Sequence, residues 1–373
     1  MEPSTFVCTH CGETHPSSSR QMVQNDPLCP VCMNTETLIC SRCGETIYRD
    51  DNGGDESIPL CRPCYDRYYT RCEWCGRVIY TSDAYYEDDD EDSPLCYDCH
   101  YRINSQKSIR DYYYKPEPLF RGDGHRYFGV ELEIDEGGER NDRAAAIMEI
   151  ANENGVENIY CKHDGSLEDG IELVTHPCTL DYHRAEMPWS AVLEKAKSFG
   201  YLSHQASTCG LHVHINRNTY GHTEAEQEDC IARILYLFER FWEELLIFSR
   251  RTPSQLERWA ARYGYDEQPQ DILKKAKGTR NSRYAAVNLT NAHTIEFRMF
   301  RGTLKLNTLI ATLELLDRVS DVAIYLSDEQ IKALSWTTFV SGIQEKTYPA
   351  LVQYLKERRL YVNEIVEDRE EEI

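Results

Sequence analysis

Residues 128–134 read Phe-Gly-Val-Glu-Leu-Glu-Ile, so apolar side chains alternate with two carboxylates. Successive side chains of a β-strand point to opposite faces of a sheet, and this stretch therefore predicts a strand with one apolar and one acidic face. Three later stretches repeat the pattern: Ile-Glu-Leu-Val at 171–174, Leu-His-Val-His-Ile-Asn at 211–216 and Ile-Glu-Phe-Arg-Met at 295–299. Together they predict one sheet with a core face and a chemically active face.

The four stretches sort their side chains into an apolar set and a polar set. The apolar set, expected to fill one core, is Val130, Leu132, Ile134, Ile171, Leu173, Leu211, Val213, Ile215, Ile295, Phe297 and Met299. The polar set, expected on the open face, is Glu131, Glu133, Glu172, His212, His214, Glu296 and Arg298. Crowded carboxylates repel one another unless a cation lies between them, and oxygen-rich sets with an occasional histidine suit Mg²⁺ or Mn²⁺. The polar face is therefore typical of a metal-dependent phosphoryl-transfer site.

The two histidines of the polar set, His212 and His214, stand on the same side of one predicted strand. A lone histidine most often satisfies a structural hydrogen bond. Two histidines that face carboxylates favour a role as metal ligand or catalytic group.

Two segments beside the strands add candidate binding residues. Asp164-Gly165-Ser166 is typical of a tight turn, and at the mouth of the polar face Asp164 and Ser166 could orient a substrate amine or carboxylate. Arg280 and Arg283 lie in a polar stretch before the strand at 295–299. Because guanidinium groups bind phosphate oxygens bidentately, these arginines indicate recognition of a triphosphate.

The composition of the 373-residue chain limits the classes of function. With 41% hydrophobic and 28% charged residues, most of the chain can fold around a core. A formal net charge of -22 argues against binding of a nucleic-acid backbone, because the diffuse electrostatic term is repulsive. No apolar run is long enough to cross a membrane, and the first residues lack a basic region followed by an apolar one. We therefore expect a soluble, cytoplasmic protein without a membrane partner.

Twelve of the sixteen cysteines form Cys-x-x-Cys pairs that repeat along the first hundred residues. The pairs are Cys8/Cys11, Cys29/Cys32, Cys40/Cys43, Cys61/Cys64, Cys72/Cys75 and Cys96/Cys99. A set of two such pairs recurs every 32 residues. This repeat predicts three zinc modules of four cysteines each. Four thiolates leave no vacant position for substrate, so the three Zn²⁺ ions are expected to be structural. It stays open whether one zinc ion takes its cysteine ligands from two neighbouring repeats. A redox role for the cysteine pairs is not favoured, because the sequence around them lacks a thioredoxin-like context.

These repeats and the change of composition after them give the expected domain organisation. A glycine follows the second cysteine of each module, where a positive φ lets backbone amides reach the thiolates: Gly12, Gly44 and Gly76. We expect zinc ribbons at residues 1–36, 37–68 and 69–103, and a linker that contains two prolines at residues 104–120. A catalytic domain is expected at residues 121–373. The ribbons are expected to recruit a protein substrate or partner.

Helical signals separate the predicted strands and indicate an α+β fold. Helices are expected at 141–154 and 188–199, each followed or ended by a glycine. Thr223 and Glu226 form a predicted capping box that opens a long helix continuing through Leu246, and further helices follow Asn307 and Pro349. The strands do not alternate regularly with helices. We therefore expect an antiparallel curved sheet with helices on one face and a polar face open to ligand.

At these residues the C-terminal part resembles the amidoligases, a branch of the carboxylate-amine ligase superfamily that includes glutamate-cysteine ligases and shares the glutamine synthetase catalytic fold. The matching pieces occur in family order and span about residues 121–330, which leaves the ribbons outside. They are Phe128-Gly-Val-Glu-Leu-Glu, Asp164-Gly-Ser-Leu, Gly170-Ile-Glu-Leu-Val-Thr-His-Pro177, Cys209-Gly-Leu-His-Val-His-Ile-Asn216, Arg283-Tyr-Ala-Ala-Val-Asn-Leu289 and Thr294-Ile-Glu-Phe-Arg-Met-Phe-Arg301.

The resemblance implies roles for individual residues. Glu131, Glu133 and Glu172 would hold Mg²⁺ or Mn²⁺, with His212 and Glu296 at a second metal position. The nucleotide ATP would contact a further set, which is Ser166, Asn216, Arg280, Arg283, Arg298 and Arg301. His214 would face the nucleotide or the acyl group. The short region 137–160 does not match the parts that shape the amino-acid pocket of well-studied ligases, so the resemblance does not identify the substrate.

These roles predict an ATP-dependent amide or isopeptide ligase that activates a carboxylate as an acyl phosphate, which an amine then attacks. Asp164 is the candidate general base, and the two substrates belong to amino acids, peptides or proteins. Three alternatives stay open. They are a metal-dependent hydrolase that uses the His-x-His and glutamate cluster, a zinc-ribbon adaptor with an inactive ligase-like domain, and an enzyme that stops at phosphoryl transfer.

Overall fold

The computed structural model describes residues 4–87, 90–104, 107–279 and 282–361. The chain divides into two compact units, Met1–Gln106 and Lys107–Ile373.

The first unit consists of short antiparallel hairpins and short helices that repeat along the chain. Its elements are β1 (Thr5–Val7), β2 (Thr14–Pro16), β3 (Gln21–Val23), β4 (Asp26–Leu28), α1 (Pro30–Glu36), β5 (Thr37–Ile39), β6 (Thr46–Tyr48), α2 (Arg62–Tyr68), β7 (Tyr69–Arg71), β8 (Val78–Tyr80), β9 (Tyr85–Glu87), β10 (Asp90–Leu95) and α3 (Tyr97–Asn104). Each consecutive pair of strands forms a two-stranded sheet.

The cysteine pairs lie at equivalent places in this repeat. The first pair of each module lies in the turn of a hairpin, and a glycine with a φ of 73° to 77° follows it, as predicted. The third cysteine directly precedes a helix: Cys29 before α1, Cys61 before α2 and Cys96 before α3. Each module is therefore a hairpin combined with a helix, and the zinc-ribbon assignment stays a prediction.

The second unit contains a seven-stranded sheet and many helices. Its strands are β11 (Ile109–Arg110), β12 (Phe128–Ile134), β13 (Ile159–Lys162), β14 (Ile171–Thr175), β15 (Gly210–Asn216), β16 (Val287–Asn288) and β17 (Thr294–Arg301). Its α-helices are α4 (Asn141–Ala151), α5 (Leu180–Ala185), α6 (Trp189–Ser198), α7 (Glu224–Arg240), α8 (Trp242–Ser249), α9 (Pro253–Trp259), α10 (Pro269–Gly278), α11 (Leu306–Tyr325), α12 (Asp328–Ala333), α13 (Trp336–Ser341) and α14 (Pro349–Glu357). The predicted α+β class is confirmed.

The sheet order is β11-β13-β14-β12-β15-β17-β16. Every pair is antiparallel except β11 and β13, which are parallel. The four strands predicted from sequence, β14, β12, β15 and β17, are consecutive neighbours at the centre. The register between β15 and β17 shifts after Leu211 and so contains an irregularity.

The predicted core is confirmed, because all eleven apolar side chains of the four stretches are fully buried, with a relative exposure of 0%. They belong to one cluster that also contains buried side chains of α4, α6, α7, α11 and α14, so helices cover this face of the sheet. Burial of each large aliphatic side chain stabilises the fold by about 1.5–3 kcal/mol. Alternation along the strands therefore leaves the polar set on the opposite face.

The helix that begins at the capping box of Thr223 and Glu226 is shorter than predicted. The capping box is present, but α7 ends at Arg240 and α8 begins at Trp242. Phe241 between them is buried, and its ring packs on Trp336 at 5.5 Å between ring centres. The prediction of one continuous helix through Leu246 was wrong, because the helical spacing of apolar residues does not reveal the interruption at Phe241.

The segment expected to be a linker differs in extent from the prediction at 104–120. Ile109–Arg110 forms the edge strand β11 of the large sheet, and the Asn141 side chain accepts hydrogen bonds from the backbone N–H groups of Ser108 and Ile109 at 3.1 and 2.9 Å. Tyr114 is buried, and its ring meets Tyr160 edge to face at 5.4 Å. Residues 107–120 therefore belong to the second unit.

Candidate functional site

The polar residues of the four central strands lie next to one another across the sheet. Glu131 on β12 is directly opposite His212 on β15, and His214 is opposite Glu296 on β17. Glu133 on β12 is opposite Glu172 on β14. Opposite residues of neighbouring strands have Cβ atoms about 4.5–5.5 Å apart, so the register alone brings these groups into contact.

Three of these side chains form a cluster that could hold a metal ion. The ligand atoms of Glu131, His212 and Glu296 all lie within 4.8 Å of one another. His212 Nδ1 is 3.5 Å from Glu131 Oε2 and 3.9 Å from Glu296 Oε1. This nitrogen is buried and makes no hydrogen bond among the described residues. A buried nitrogen without a hydrogen bond, facing two carboxylates, fits a divalent cation between the three groups.

Glu133 contacts the other side of the His212 ring. Glu133 Oε1 lies 3.7 Å from His212 Nε2, and its second oxygen accepts a hydrogen bond from the backbone N–H of Gly210. A proton on Nε2 directed at Glu133 leaves the lone pair of Nδ1 toward the cluster. At 3.7 Å this contact is longer than a hydrogen bond, so Glu133 favours this orientation of His212 through its charge alone.

His214 makes a second contact with Glu131. Its Nε2 lies 3.1 Å from Glu131 Oε1, and its Nδ1 lies 3.2 Å from Thr294 Oγ1. Burial opposes ionisation of Glu131, but the charge of His214 and contacts with both histidines outweigh it and lower the pKa of Glu131 well below its usual range. Burial likewise opposes a charge on His214, yet Glu131 raises the pKa of His214. Glu131 is therefore held as a carboxylate.

Glu296 is fixed by three neighbours. Its Oε1 contacts Nη1 of Arg298, and its Oε2 accepts hydrogen bonds from the side-chain amides of Asn288 at 2.7 Å and Asn291 at 3.3 Å. Neither asparagine was predicted as a site residue from the sequence. Asn288 lies on the two-residue strand β16 opposite Glu296, and a strand that short has no alternation to reveal it.

Glu172 lies beyond the cluster, two strands from His212. Its Oε2 is 3.7 Å from Nζ of Lys162. Burial, followed by repulsion from Glu131, raises the pKa of Glu172 well above its usual range despite the nearby lysine. Neutralisation of a nearby charge by a bound cation would relieve this repulsion.

A cavity of about 610 Å³ opens above the cluster. Six residues of the polar set line it, namely Glu131, Glu172, His212, His214, Glu296 and Arg298, together with Asp164 and Arg283. Residues between β11 and β12 also line the cavity: Tyr112, Tyr113, Tyr114, Lys115, Pro116 and Pro118. We call these residues the 112–118 wall. The cavity thus has an acidic floor and an aromatic wall.

Of the other predicted site residues, Asp164 lines the cavity, whereas Ser166, Asn216 and Arg301 do not. Asp164 Oδ1 accepts a hydrogen bond from the backbone N–H of Ser166 at 2.7 Å, which closes the turn. Ser166 itself lies outside the cavity lining. Asn216 accepts from the N–H of Tyr127 at 2.7 Å, and Arg301 donates to the Arg250 carbonyl at 3.4 Å. Neither Asn216 nor Arg301 lines the cavity. Arg280 lies outside the described residues.

The twelve paired cysteines form three separate clusters of four, each built from one module. Cys43 Sγ lies 3.7 Å from Cys61 Sγ, and Cys75 Sγ lies 3.7 Å from Cys96 Sγ. Tetrahedral Zn²⁺ with Zn–S distances of about 2.3 Å separates its sulfur ligands by about 3.8 Å, so these clusters fit zinc. Burial opposes ionisation of Cys8, Cys40 and Cys72, but backbone N–H groups lower the pKa of each thiol to about 6. Ligands grouped within modules favour sequential pairing.

The fold and the site together define a mixed α+β domain with a candidate divalent-cation centre on one sheet face. Residues 153–320 match the family model described as "Putative amidoligase enzyme". This match supports the amidoligase family and suggests ligase activity. His212, Glu296 and Arg298 lie within the matched residues, whereas Glu131 and the 112–118 wall precede them.

Comparison with solved structures gives only distant similarity. The class II 3-hydroxy-3-methylglutaryl-CoA reductase from Streptococcus pneumoniae, bound to NADPH in open conformations, is 12% identical over 61% of this chain and 72% of that chain, with a TM-score of 0.18. A second structure of the Streptococcus pneumoniae reductase is 14% identical over 64% of this chain and 71% of that chain, with a TM-score of 0.16. Neither TM-score indicates a shared fold. No curated protein matches the chain.

Among the residues that the structure describes, no helix has both the length and the apolar character needed to span a membrane.

Proposed function

We propose that the protein is an ATP-dependent ligase that joins a carboxylate to an amine through an acyl phosphate. The observation that carries this proposal is the cluster of Glu131, His212 and Glu296 beside Arg298, within a cavity that Arg283 also lines. The amidoligase match over 153–320 favours ligation among the reactions that such a centre supports.

The chemistry explains why these groups are needed together. A carboxylate at neutral pH is a poor electrophile, so transfer of the γ-phosphoryl group of ATP first converts it to an acyl phosphate and releases ADP. The amine then attacks the acyl carbon, the amide bond forms, and phosphate leaves. A divalent cation held by Glu131, His212 and Glu296 would neutralise phosphate charge during the transfer. Arg298 would contact the transferring phosphoryl group, and its presence in the cavity lining supports this role.

The incoming amine must lose a proton before it attacks. Asp164 is the proposed general base, because it lines the cavity at the turn before β14. One of its oxygens accepts the backbone N–H of Ser166, which fixes the carboxylate without consuming its second oxygen. In this proposal the amine approaches from the side of Asp164.

The three cysteine modules are proposed to recruit a protein substrate or partner. Closed four-thiolate clusters support structure rather than catalysis, since they leave no position for a reacting group. The modules also lie outside the residues that match the amidoligase model. A role in selecting the macromolecule that the second unit modifies is consistent with both observations.

The experiment is ADP release by the purified full chain with ATP and magnesium, against pools of amino acids and amine-bearing peptides, with mass spectrometry of the products. A product lighter by one water than its two substrates, formed together with ADP, would establish the ligase. Glu296→Gln should abolish this activity, and Glu224→Gln, on the exposed first turn of α7, is the matched control.

Other outcomes would reject the proposal. Turnover that is independent of ATP but requires the metal would identify a metal-dependent hydrolase. Phosphorylated product without an amide would identify an enzyme that stops at phosphoryl transfer. No nucleotide binding, with zinc retained, would favour an adaptor.

A further inference from the structure

The 112–118 wall ends at a hydrogen bond to a buried histidine. The backbone N–H of Leu119, the first residue after the wall, donates to Nδ1 of His176 at 3.3 Å. His176 is 2% exposed, directly follows β14 and itself lines the cavity. This contact therefore joins the end of the wall to a central strand of the sheet.

The composition of the wall makes this hydrogen bond important. Pro116 and Pro118 have no backbone N–H and cannot donate. Of the five residues 115–119, only three can therefore donate a backbone hydrogen bond, and Leu119 is one of them. A segment with so few donors cannot be held by a regular ladder of hydrogen bonds. Its position depends on single anchors such as the one that Leu119 makes.

The hydrogen bond requires the His176 side chain to be neutral. A neutral imidazole accepts at one nitrogen and donates at the other, whereas the protonated ring carries a hydrogen on both nitrogens. Because Nδ1 accepts the N–H of Leu119, the single proton of the neutral ring lies on Nε2. A second proton, on Nδ1, would face the N–H of Leu119. Protonation of His176 would therefore break the contact.

Three neighbouring groups act on the His176 ring. Oε1 of Glu157, shortly before β13, lies 3.9 Å from Nε2, and this nitrogen makes no hydrogen bond within the described ranges. The Tyr160 ring on β13 lies 5.6 Å away between ring centres. Burial lowers the pKa of His176 although the Glu157 carboxylate opposes this shift, and the charge of Arg121 adds to it. His176 is therefore neutral at neutral pH and gains its proton only in acid.

We infer that His176 is a positioning residue, which fixes the aromatic wall of the cavity when it is neutral and releases the wall when it is protonated. The strands that carry Glu131, His212 and Glu296 are held by backbone hydrogen bonds, which do not titrate. The wall would thus respond to pH while the floor of the cavity stays paired. The inference does not depend on the proposed reaction, because it concerns the free protein.

The test is hydrogen exchange of the full chain by mass spectrometry, read on peptides that span residues 115–121 and corrected for the intrinsic pH dependence of exchange. Because the two prolines carry no amide hydrogen, the Leu119 amide contributes a large share of the signal. From about pH 7.5 to about pH 4.5, exchange in the parent protein should accelerate by about fivefold, as the loss of one hydrogen bond predicts.

Two variants separate the hydrogen bond from the titration. In His176→Asn, Oδ1 is bonded to Cγ as Nδ1 is, so it can accept from Leu119 but does not titrate, and exchange should be slow at both pH values. His176→Leu has no acceptor, so exchange should be fast at both. The matched control is His222→Asn, because His222 is exposed and does not line the cavity. It should behave as the parent does.

Mn²⁺ affinity, measured by EPR titration, should stay within twofold in both His176 variants, which distinguishes release of the wall from unfolding of the sheet. Equal corrected exchange at both pH values in the parent would overturn the inference. A pH dependence that persists in His176→Asn would also overturn it, since another group, such as Glu157, would then be its source. Slow exchange in a folded His176→Leu would mean that the wall does not need this anchor. If His176→Leu fails to fold, His176→Asn decides alone.

Discussion

Replacement of one zinc ligand should remove one zinc ion and unfold one module. In Cys75→Ser the third cluster, Cys72, Cys75, Cys96 and Cys99, loses one of its four thiolates. The buried cluster around this site consists of three of these cysteines and Leu95, while Tyr69 and Val78 of the same module pack in the cluster around Cys40 and Cys61. Burial of Leu95 stabilises by about 1.5–3 kcal/mol, whereas zinc binding in small structural sites contributes about 10–16 kcal/mol. Metal binding therefore dominates the stability of this module.

The assay is the zinc content per chain after dialysis against EDTA, combined with hydrogen exchange of each module. The parent protein should retain three zinc ions and Cys75→Ser should retain two. Exchange should accelerate at residues 69–103 and stay slow at 37–68, because the four ligands of each cluster come from one module. Cys230→Ser, which changes a cysteine of α7 outside the clusters, is the control and should retain all three.

Two results would refute this reasoning. A variant that keeps three zinc ions against EDTA would mean that the serine position contributes little to binding. A variant that loses two would mean that neighbouring modules share ligands.

The remaining predictions concern the second unit. Glu296→Gln should weaken Mn²⁺ binding tenfold or more in EPR titration, because it removes a charged ligand atom from the cluster. Leu132→Ala should lower the free energy of unfolding in urea by about 2–5 kcal/mol, because Leu132 is fully buried in the sheet core. Burial lowers the pKa of His183 to about 4, although a hydrogen bond with the Phe128 carbonyl opposes the shift. In the unfolded chain the histidine gains its proton near pH 6.5, whereas in the folded protein it stays neutral until about pH 4. The free energy of unfolding is therefore retained above pH 6.5, and about 3 kcal/mol of it is lost as the pH falls to 4.

Each of these three predictions can be contradicted by a specific result. Unchanged Mn²⁺ affinity in Glu296→Gln would remove Glu296 from the metal centre. A Leu132→Ala cost below about 1 kcal/mol would mean that the core is not packed as described. His183→Gln should lack the loss of stability at acid pH that is described for His183. If parent and variant have equal urea midpoints across this pH range, His183 is not the source of the loss.

The central sheet could be predicted because alternation in a strand directly encodes which face each side chain occupies. For Glu131, His212 and Glu296, sharing a face was enough to place their ligand atoms within 4.8 Å once the strands paired. The strand order itself was not encoded locally. The placement of β12 between β14 and β15 depends on contacts between distant parts of the chain.

The parts that sequence reasoning missed are short or depend on tertiary contacts. The strands β11 and β16 have two residues each, too few to show a period, and Asn288 on β16 was missed with them. The 112–118 wall has the prolines and polar residues of a linker, and only its packing on the sheet makes it part of the cavity. Asn216 and Arg301 carry the expected chemistry, but their hydrogen bonds are made to backbone groups elsewhere.

The edge strand β11 determines where the second unit can be cut without damage. Because Ile109 and Arg110 pair with β13 and the next residues complete the cavity, a fragment that starts at Pro118 would lose both an edge of the sheet and most of the aromatic wall. A fragment that starts at Lys107 would keep them. Any expression of the region that matches the amidoligase model should therefore include the 46 residues before it, 107–152, because they belong to the second unit.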